Sequence, residues 1–274
     1  MGGSVFYKMT GSGNDFVFID GRCDPVAEWS PERIRSVCAR RTGVGADGLV
    51  VLEPGSAPGR VRFHFFNSDG SRAPMCGNGA LCATRLAARL ELAPAEGMCL
   101  ETDAGTYEAR CLPETTDRAE IRLADVTDLS HPEIVPTDGE RHIGFATVGV
   151  PHLVVVVDDL EAVDLVGRGR ALREHRVLEP GGANVNFVAR TGEGWAMRTY
   201  ERGVEGETLA CATGAVASAL VLGTAGDLEF PWAVRSRMGE LLSVSGELDL
   251  DREPPALVSP GVGGQALLVF RGIL

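Results

Sequence analysis

The chain has 274 residues, of which 44% are hydrophobic, and it carries a formal net charge of −12 at pH 7. This length and composition are enough to bury the core of one large domain or of two domains of ordinary size. Because so acidic a protein repels phosphate backbones and anionic lipids, we expect neither nucleic acid nor a membrane surface as a partner.

The cellular compartment is predicted from the N-terminal segment and the cysteines. Residues 1–8 lack the basic-then-apolar order of a signal peptide, and no stretch approaches the roughly 18 consecutive apolar residues of a membrane span. The chain has seven cysteines, an odd number, and their spacing does not resemble a disulfide framework. We therefore predict a cytoplasmic protein whose cysteines are mostly reduced thiols.

The two halves of the chain repeat one pattern. A turn, an apolar strand and an aspartate occur at residues 9–20 and again at residues 147–158. Further on, a strand at residues 62–67 parallels one at residues 197–201, and both lead through a glycine-containing turn towards a helix that starts at a cysteine. Weak identity in the same order predicts an internal duplication.

A peripheral helix is predicted over residues 31–41, with Ser30 as its N-cap and Pro31 at its first position. The segment that follows, residues 43–48, fits the pattern G-x-G-x-x-G. In a dinucleotide-binding site this motif follows a strand and opens a helix, whereas here it follows a helix and enters a strand at residues 49–52. The sequence therefore does not favour a nicotinamide or flavin site.

Cys76 and Cys211 each open an alanine-rich helix that contains glycine, predicted over residues 78–90 and 212–223, and they stand 135 positions apart. A helix N-terminus offers unpaired backbone N–H groups and the positive end of the helix dipole. Such a position favours a thiolate and can hold a carboxylate nearby. Two such thiols on opposite sides of one carbon could remove a proton from one face and return it to the other.

The helix at residues 212–223 is apolar nearly all round, so it must be enclosed by other elements. We predict an α/β (α+β) fold with two pseudo-symmetric domains, each a mixed, mostly antiparallel sheet wrapped around one central buried helix. The N-terminal domain is predicted over residues 1–117 and the C-terminal domain over residues 118–263. The pattern does not decide whether a last strand within residues 264–274 returns to the first domain.

Neither a metal nor an organic cofactor is predicted. The five histidines, at positions 64, 131, 142, 152 and 175, show no H-x-x-x-H spacing, and the cysteines show no C-x-x-C spacing. Pyridoxal phosphate requires a Schiff-base lysine, and the chain has a single lysine, Lys8, on its first strand. Without such an electron sink, carbanion formation has to depend on directed dipoles in a dry pocket.

Six segments resemble the diaminopimelate epimerase family, and the resemblance spans nearly the whole chain in order. The segments are KMTGSGNDF (8–16), GVGADG (43–48), FNSDGS (66–71), MCGNG (75–79), NVNF (184–187) and YERGVEGETLAC (200–211). The resemblance implies a homodimeric, pyridoxal-independent isomerase of two-domain subunits that binds a small amino acid and no further cofactor. Its reaction is the inversion of one α-carbon of LL-2,6-diaminopimelate to the meso form, which feeds lysine and peptidoglycan synthesis.

The resemblance also implies roles for individual residues. Cys76 and Cys211 are implied as the acid/base pair, with His152 and Glu201 as the polar neighbours that help the thiols transfer protons. It implies that the reacting carboxylate is held by the backbone N–H groups of Gly77, Asn78, Ala212 and Thr213. The remaining carboxylate and ammonium groups of the substrate are implied to bind Asn14, Asn67, Asn184, Glu201 and Arg202.

Three positions depart from the pattern of many family members. Val150 replaces a substrate-binding asparagine, Gly48 replaces a glutamine, and Ala212 replaces the glycine that commonly follows the second cysteine. Ala212 is harmless if only its backbone N–H is used. Val150 and Gly48 remove polar contacts towards the non-reacting end of the substrate.

Two alternatives stay open on the sequence. Val150 motivates racemisation of another amino acid, such as histidine or glutamate, by the same two-thiol chemistry. A non-catalytic amino-acid-binding or redox-sensing protein, whose paired thiols only close a disulfide, is the alternative from another class.

Overall fold

A computed structural model describes residues 3–274 of the chain. Within them the chain forms two compact units, one that runs to Arg122 and includes Gly263–Leu274, and one that comprises Leu123–Val262. In this described part, every helix is too short or too polar to cross a membrane.

The first unit is built mainly from strands. Its elements are β1 (Val5–Gly11), β2 (Asn14–Asp20), α1 (Pro31–Cys38), β3 (Gly48–Pro54), β4 (Arg60–Asn67), β5 (Arg72–Ala73), α2 (Gly77–Arg89), β6 (Met98–Thr102), β7 (Gly105–Cys111) and β8 (Arg118–Arg122). The pairs β2–β3 and β4–β6 are parallel, and the other pairs among these strands are antiparallel.

The second unit uses the same kinds of element. They are β9 (Glu140–Val148), β10 (Val150–Val157), α3 (Leu165–Arg173), β11 (Asn184–Thr191), β12 (Gly194–Glu201), β13 (Gly206–Thr208), α4 (Ala212–Thr224), β14 (Trp232–Arg235), β15 (Leu241–Asp249) and β16 (Ala256–Gln265), whose last three residues belong to the first unit. The last strand of the chain, β17 (Leu267–Ile273), pairs antiparallel with β1 and so belongs to the first unit.

The two units repeat one strand topology. In the first, β2 runs parallel to β3, β3 antiparallel to β4, and β4 parallel to β6. In the second, β10 runs parallel to β11, β11 antiparallel to β12, and β12 parallel to β14. The register repeats as well, because Phe16 faces Gly48 where His152 faces Asn184. This repetition confirms the predicted duplication.

Each unit encloses one helix. Most residues of α2 are buried, and α4 is buried from Ala212 to Gly223 apart from Thr213. Because α4 carries alanine, valine and leucine on every face, it has no side to leave in water. The predicted mixed α/β class, with mostly antiparallel strands around a buried helix, is confirmed.

Two boundaries differ from the sequence expectation. Helix α1 ends at Cys38 rather than at residue 41, because Ala39 turns to an extended conformation. Backbone N–H groups of Gly45 and Ala46 then bond the last carbonyls of the helix. The first unit runs to Arg122 rather than to residue 117, because β8 pairs with β7 and extends that sheet.

Candidate active site

Cys76 is the N-cap residue of α2, as its sequence context predicts. The backbone N–H of Gly79 donates to Cys76 Sγ at 3.5 Å, and the N–H of Ala80 donates to the Cys76 carbonyl at 2.8 Å. Gly77 and Asn78 occupy the first two helical positions, where backbone N–H groups have no partner within the helix. The partly exposed thiol therefore lies at the positive end of a helix.

The side chain of Asn78 connects this helix to β2. Asn78 Nδ2 donates to Asn14 Oδ1 at 2.8 Å, and Asn14 Nδ2 donates in turn to Asp47 Oδ2 at 2.9 Å. Both side-chain atoms of Asn14 are thereby used, so its amide is held in one orientation. Asn78 Oδ1 is buried and has no hydrogen-bond partner within residues 3–274, so it is an acceptor available to a ligand.

Behind Asn14 lies a charged cluster whose members sequence reasoning did not assign to the site. Arg40 bridges Asp47 and Asp15 at 2.8 and 2.6 Å, and the Lys8 ammonium pairs with Asp15 and bonds the Gly45 carbonyl. Burial alone would raise the pKa of Asp15, but hydrogen bonds from Arg40 and Lys8 hold that pKa below its usual value. The ammonium group of Lys8, the single lysine, therefore forms an ion pair with a carboxylate.

Asn67 ends β4, and its backbone pairs with Gly48 across the strands. Its side-chain Nδ2 donates to Ser71 Oγ at 3.0 Å within the following turn. Gly48 has no room for a side chain, because a Cβ there would lie 2.6 Å from the ring of Phe65 and 2.7 Å from the Phe66 carbonyl oxygen. The ring of Phe65 therefore occupies the space that a side chain at position 48 would need, which accounts for the glycine there.

Cys211 is the N-cap of α4 and is buried, with its Sγ 3.6 Å from Thr213 Oγ1. Burial, together with the negative charge of Glu201, raises the pKa of this thiol to about 11. The Thr213 hydroxyl and the first N–H groups of the helix act in the opposite direction but are outweighed. The helix N-terminus favours the thiolate of Cys211 as expected, but in the free protein burial has the larger effect on its pKa.

Asn184 and Arg202 lie together in the second unit. The backbone N–H of Arg202 donates to Asn184 Oδ1 at 2.9 Å. The Arg202 guanidinium donates to the carbonyls of Gly181 and Gly182, each at 3.3 Å. Glu201 ends β12 directly before Arg202. A guanidinium held from one side by two carbonyls keeps its other N–H groups for a carboxylate.

His152 lies on β10, two residues after the exposed Val150 that begins the strand, and is fully buried at 0% exposure. Burial, with the positive charge of Arg202, lowers the pKa of the ring to about 3. Its Nε2 atom has no hydrogen-bond partner within residues 3–274. In that same range, no group of three or more His, Cys, Asp or Glu side chains is arranged to hold a metal ion.

The third residue after each cysteine is a glycine, and the two differ in their surroundings. A Cβ on Gly214 would lie 2.2 Å from Asn186 Oδ1 and 3.2 Å from Cys211 Sγ, whereas a Cβ on Gly79 would meet nothing closer than 3.4 Å. Asn186 is fully buried and bonded on both ends, so it cannot move aside.

We therefore expect Gly214→Ala to destabilise the protein by about 1–3 kcal/mol, the usual effect of overpacking. Gly79→Ala is the matched control and should be neutral or stabilising by up to about 1 kcal/mol, because alanine is the better helix former. Urea unfolding of both variants measures the difference. Equal stability of the two variants would contradict the close packing at Gly214.

Each of the two repeated units opens its buried helix with a cysteine. Solved structures share the fold. A phenazine biosynthesis protein of the PhzF family from Bacillus anthracis superposes with a TM-score of 0.74 at 13% identity, covering 100% of this chain and 99% of its own. A hydroxyproline epimerase from Agrobacterium vitis superposes with a TM-score of 0.64 at 16% identity, covering 99% and 90%.

Sequence comparison identifies the family. Residues 6–124 and 144–245 match the sequence model of diaminopimelate epimerase. The diaminopimelate epimerase of Gemmatimonas aurantiaca is 43% identical over 97% of this chain and 98% of its own length, and that of Aquifex aeolicus is 43% identical over 89% and 91%. The chain belongs to the diaminopimelate epimerase family.

Proposed function

We propose that the protein inverts one α-carbon of LL-2,6-diaminopimelate to give the meso isomer, a step that supplies lysine and peptidoglycan synthesis. The observation that carries the proposal is the pair of helix-capping cysteines, one in each repeated unit, on a chain that belongs to this family. The related enzymes from diverse organisms do not favour the alternatives of another racemase or a non-catalytic thiol protein.

The chemistry proposed for the two thiols is a proton removal followed by a proton return. One cysteine, as thiolate, takes the α-proton and becomes a thiol, while the C–H bonding electrons stay on the α-carbon. The other cysteine, as thiol, gives its proton to the opposite face and becomes a thiolate. Backbone N–H groups at the helix N-termini stabilise the charge that develops on the carboxylate. The reverse reaction exchanges the two roles.

The burial of Cys211 supports an assignment of these roles in the free enzyme. Because its pKa is raised to about 11, Cys211 is protonated at neutral pH and is suited to give a proton. Cys76 is then the base that removes the α-proton. Lys8 is committed to Asp15, which supports a route that does not use a pyridoxal Schiff base.

Iodoacetamide tests this assignment, because only the thiolate is alkylated. At pH 7–8 we expect Cys76 to be modified before Cys211 in the free enzyme. Peptide mass spectrometry resolves the two sites, and the exposed Cys23 provides the reference rate of an accessible thiol. Faster modification of Cys211 would reverse the proposed roles.

Isotope exchange tests the function itself. In D₂O, LL-diaminopimelate should be converted to a meso product that carries deuterium at the inverted carbon. With two separate acid/base groups, the remaining substrate should stay largely unlabelled early in the reaction, because the returned proton comes from the second thiol. Parallel incubations with histidine, glutamate and proline test the other racemases. Exchange with one of these, and none with diaminopimelate, would reject the proposal.

The family resemblance and the polar contacts within each unit support a set of substrate-binding residues. Asn14, Asn67 and Asn78 of the first unit and Asn184, Glu201 and Arg202 of the second are proposed to hold the carboxylate and ammonium groups, with His152 and Glu201 assisting proton transfer. Gly77, Ala212 and Thr213 offer backbone N–H groups at the two helix starts.

We also propose that the protein is a cytoplasmic homodimer. Free cysteines fit a reducing compartment. Strand β17 exposes several large apolar side chains, which is typical of an interface between subunits: Leu267, Val269, Phe270 and Ile273. Sedimentation equilibrium should give twice the chain mass of 29.0 kDa, and a monomer at micromolar concentration would reject the dimer.

A further inference from the structure

A buried polar cluster lies on three neighbouring strands of the second unit, beside the start of α4. Its members are His152 on β10, Asn186 on β11 and Thr199 on β12, and each is at most 1% exposed. Asn186 Nδ2 lies 3.2 Å from both the Leu153 carbonyl and His152 Nδ1. The Thr199 hydroxyl donates to Asn186 Oδ1 at 3.0 Å.

These contacts determine the position of the proton on His152. The Leu153 carbonyl can only accept, so the atom of Asn186 that faces it must be the NH₂ nitrogen. An amide NH₂ has two hydrogens, and the second one faces His152 Nδ1. Nδ1 is therefore the acceptor, and the neutral ring carries its proton on Nε2.

The first unit shows that the fold does not need this polar pair. At the equivalent register of β2 and β3, the first unit has Phe16 where the second has His152, and Val50 where the second has Asn186. Both of these apolar side chains are buried. Since burying a polar group costs free energy unless it is fully bonded, the pair His152–Asn186 has to be explained by the site and not by stability.

The Nε2 atom is the unsatisfied member of the cluster. Every hydrogen-bonding group of the Asn186 side chain is used, whereas His152 Nε2 is buried without a partner within residues 3–274. A buried N–H donor without an acceptor is rare in a folded protein and points to an acceptor that arrives with a ligand. Burial also keeps the ring neutral, since its pKa is lowered to about 3.

We propose that Asn186 is a positioning residue that holds His152 as the Nε2–H tautomer, so that the ring presents one N–H donor to a carboxylate oxygen of the bound amino acid. This inference rests on the proposed function, because it takes the ligand to be an amino acid. Asn186 touches no substrate in this role and acts only through the histidine.

The tautomer is measured directly by long-range ¹H–¹⁵N NMR on free protein labelled at its histidine rings. We expect His152 Nδ1 at the shift of an unprotonated nitrogen and Nε2 at that of a protonated one. His152→Gln, which removes the signal, assigns it. A wild-type spectrum with the proton on Nδ1 would overturn the proposal, whether or not any Asn186 variant folds.

Two variants then separate positioning from packing. Asn186→Asp replaces the donor that faces Nδ1 by an acceptor of the same shape, so a proton should move to Nδ1 and kcat should fall about tenfold, the effect of losing one hydrogen bond in the transition state, with a smaller change in KM. Thr199→Val removes only the hydroxyl at the other end of the amide, so the tautomer and kcat should remain close to wild type. Loss of activity in Asn186→Asp with an unchanged tautomer would overturn the proposal.

The two proposals fail differently. If wild-type protein catalyses no exchange with diaminopimelate, the proposed function is rejected. In that case the spectrum of the free protein still decides whether Asn186 sets the tautomer, because that measurement uses no substrate.

Discussion

Replacement of Cys76 or of Cys211 by serine is expected to lower the rate of epimerisation by about 10²- to 10⁴-fold, the range that one positioned acid or base supplies. A serine hydroxyl neither ionises near neutral pH nor transfers a proton as readily as a thiol. Each variant should lose both directions of the reaction, because either direction uses one residue as base and the other as acid. The measurement is the rate of interconversion of the LL and meso isomers.

Serine is chosen because the fold should survive the change. Both cysteines are N-cap residues, and serine is among the best N-cap residues, so the variants should be as stable as wild type or slightly more stable. Cys23→Ser is the control, since Cys23 is an exposed thiol outside the proposed site. Thermal unfolding should show all three variants folded. Retained epimerase activity in either active-site variant would reject the two-thiol mechanism.

The second large effect is expected on stability at acid pH. The His152 ring has a pKa of about 3 in the folded chain against 6.5 in the unfolded chain. Above pH 6.5 the ring is neutral in both states and has no effect. Between pH 6.5 and about 3 only the unfolded chain binds the proton. As the pH is lowered through this range, the free energy of unfolding should therefore fall by up to about 1.4 kcal/mol for each pH unit.

His152→Gln isolates this contribution, because glutamine is polar and does not titrate. His64 and His142 also have pKa values lowered by burial, but they titrate in both proteins and cancel in the comparison. Urea unfolding at pH 7 and at pH 5 should show a smaller loss of stability in the variant than in wild type. Equal losses would show that His152 is protonated in the folded protein.

Features that depend on short stretches of chain were predictable. Ser30, Cys76 and Cys211 cap the helices that their sequence contexts indicate. N-caps, apolar periodicity and repeated order are local properties, so they can be read without knowing which segments meet. The duplication was visible for the same reason, since each half carries its own turn, strand and helix signals.

Contacts between distant segments were not predictable. Asn14 is held by Asp47, which in turn binds Arg40, and nothing in the spacing of these residues indicates that they meet. One signal for Asn186 was present, because it stands two positions after Asn184 on a strand, so both side chains lie on the same face. The sequence alone did not show that His152 lies on the neighbouring strand, paired with Asn184 and diagonal to Asn186.

The raised pKa of Cys211 shows where local reasoning was incomplete. A helix N-terminus lowers the pKa of a thiol, but burial and the charge of Glu201 raise the pKa of Cys211 by more. The helix, and with it the helix dipole, can be predicted from the sequence. Burial depends on all the elements packed around the helix, so its size became known only with the fold.

By itself, the sequence determined the duplicated plan of the chain, the two helix-capping cysteines and the family, because helix caps, periodicity and ordered motifs are written in consecutive residues. The tertiary structure decided which side chains are held, which are buried and which donors are left unsatisfied, as for His152 and Cys211. These properties depend on desolvation and on hydrogen bonds between residues far apart in the chain, and both exist only once the strands and helices have packed.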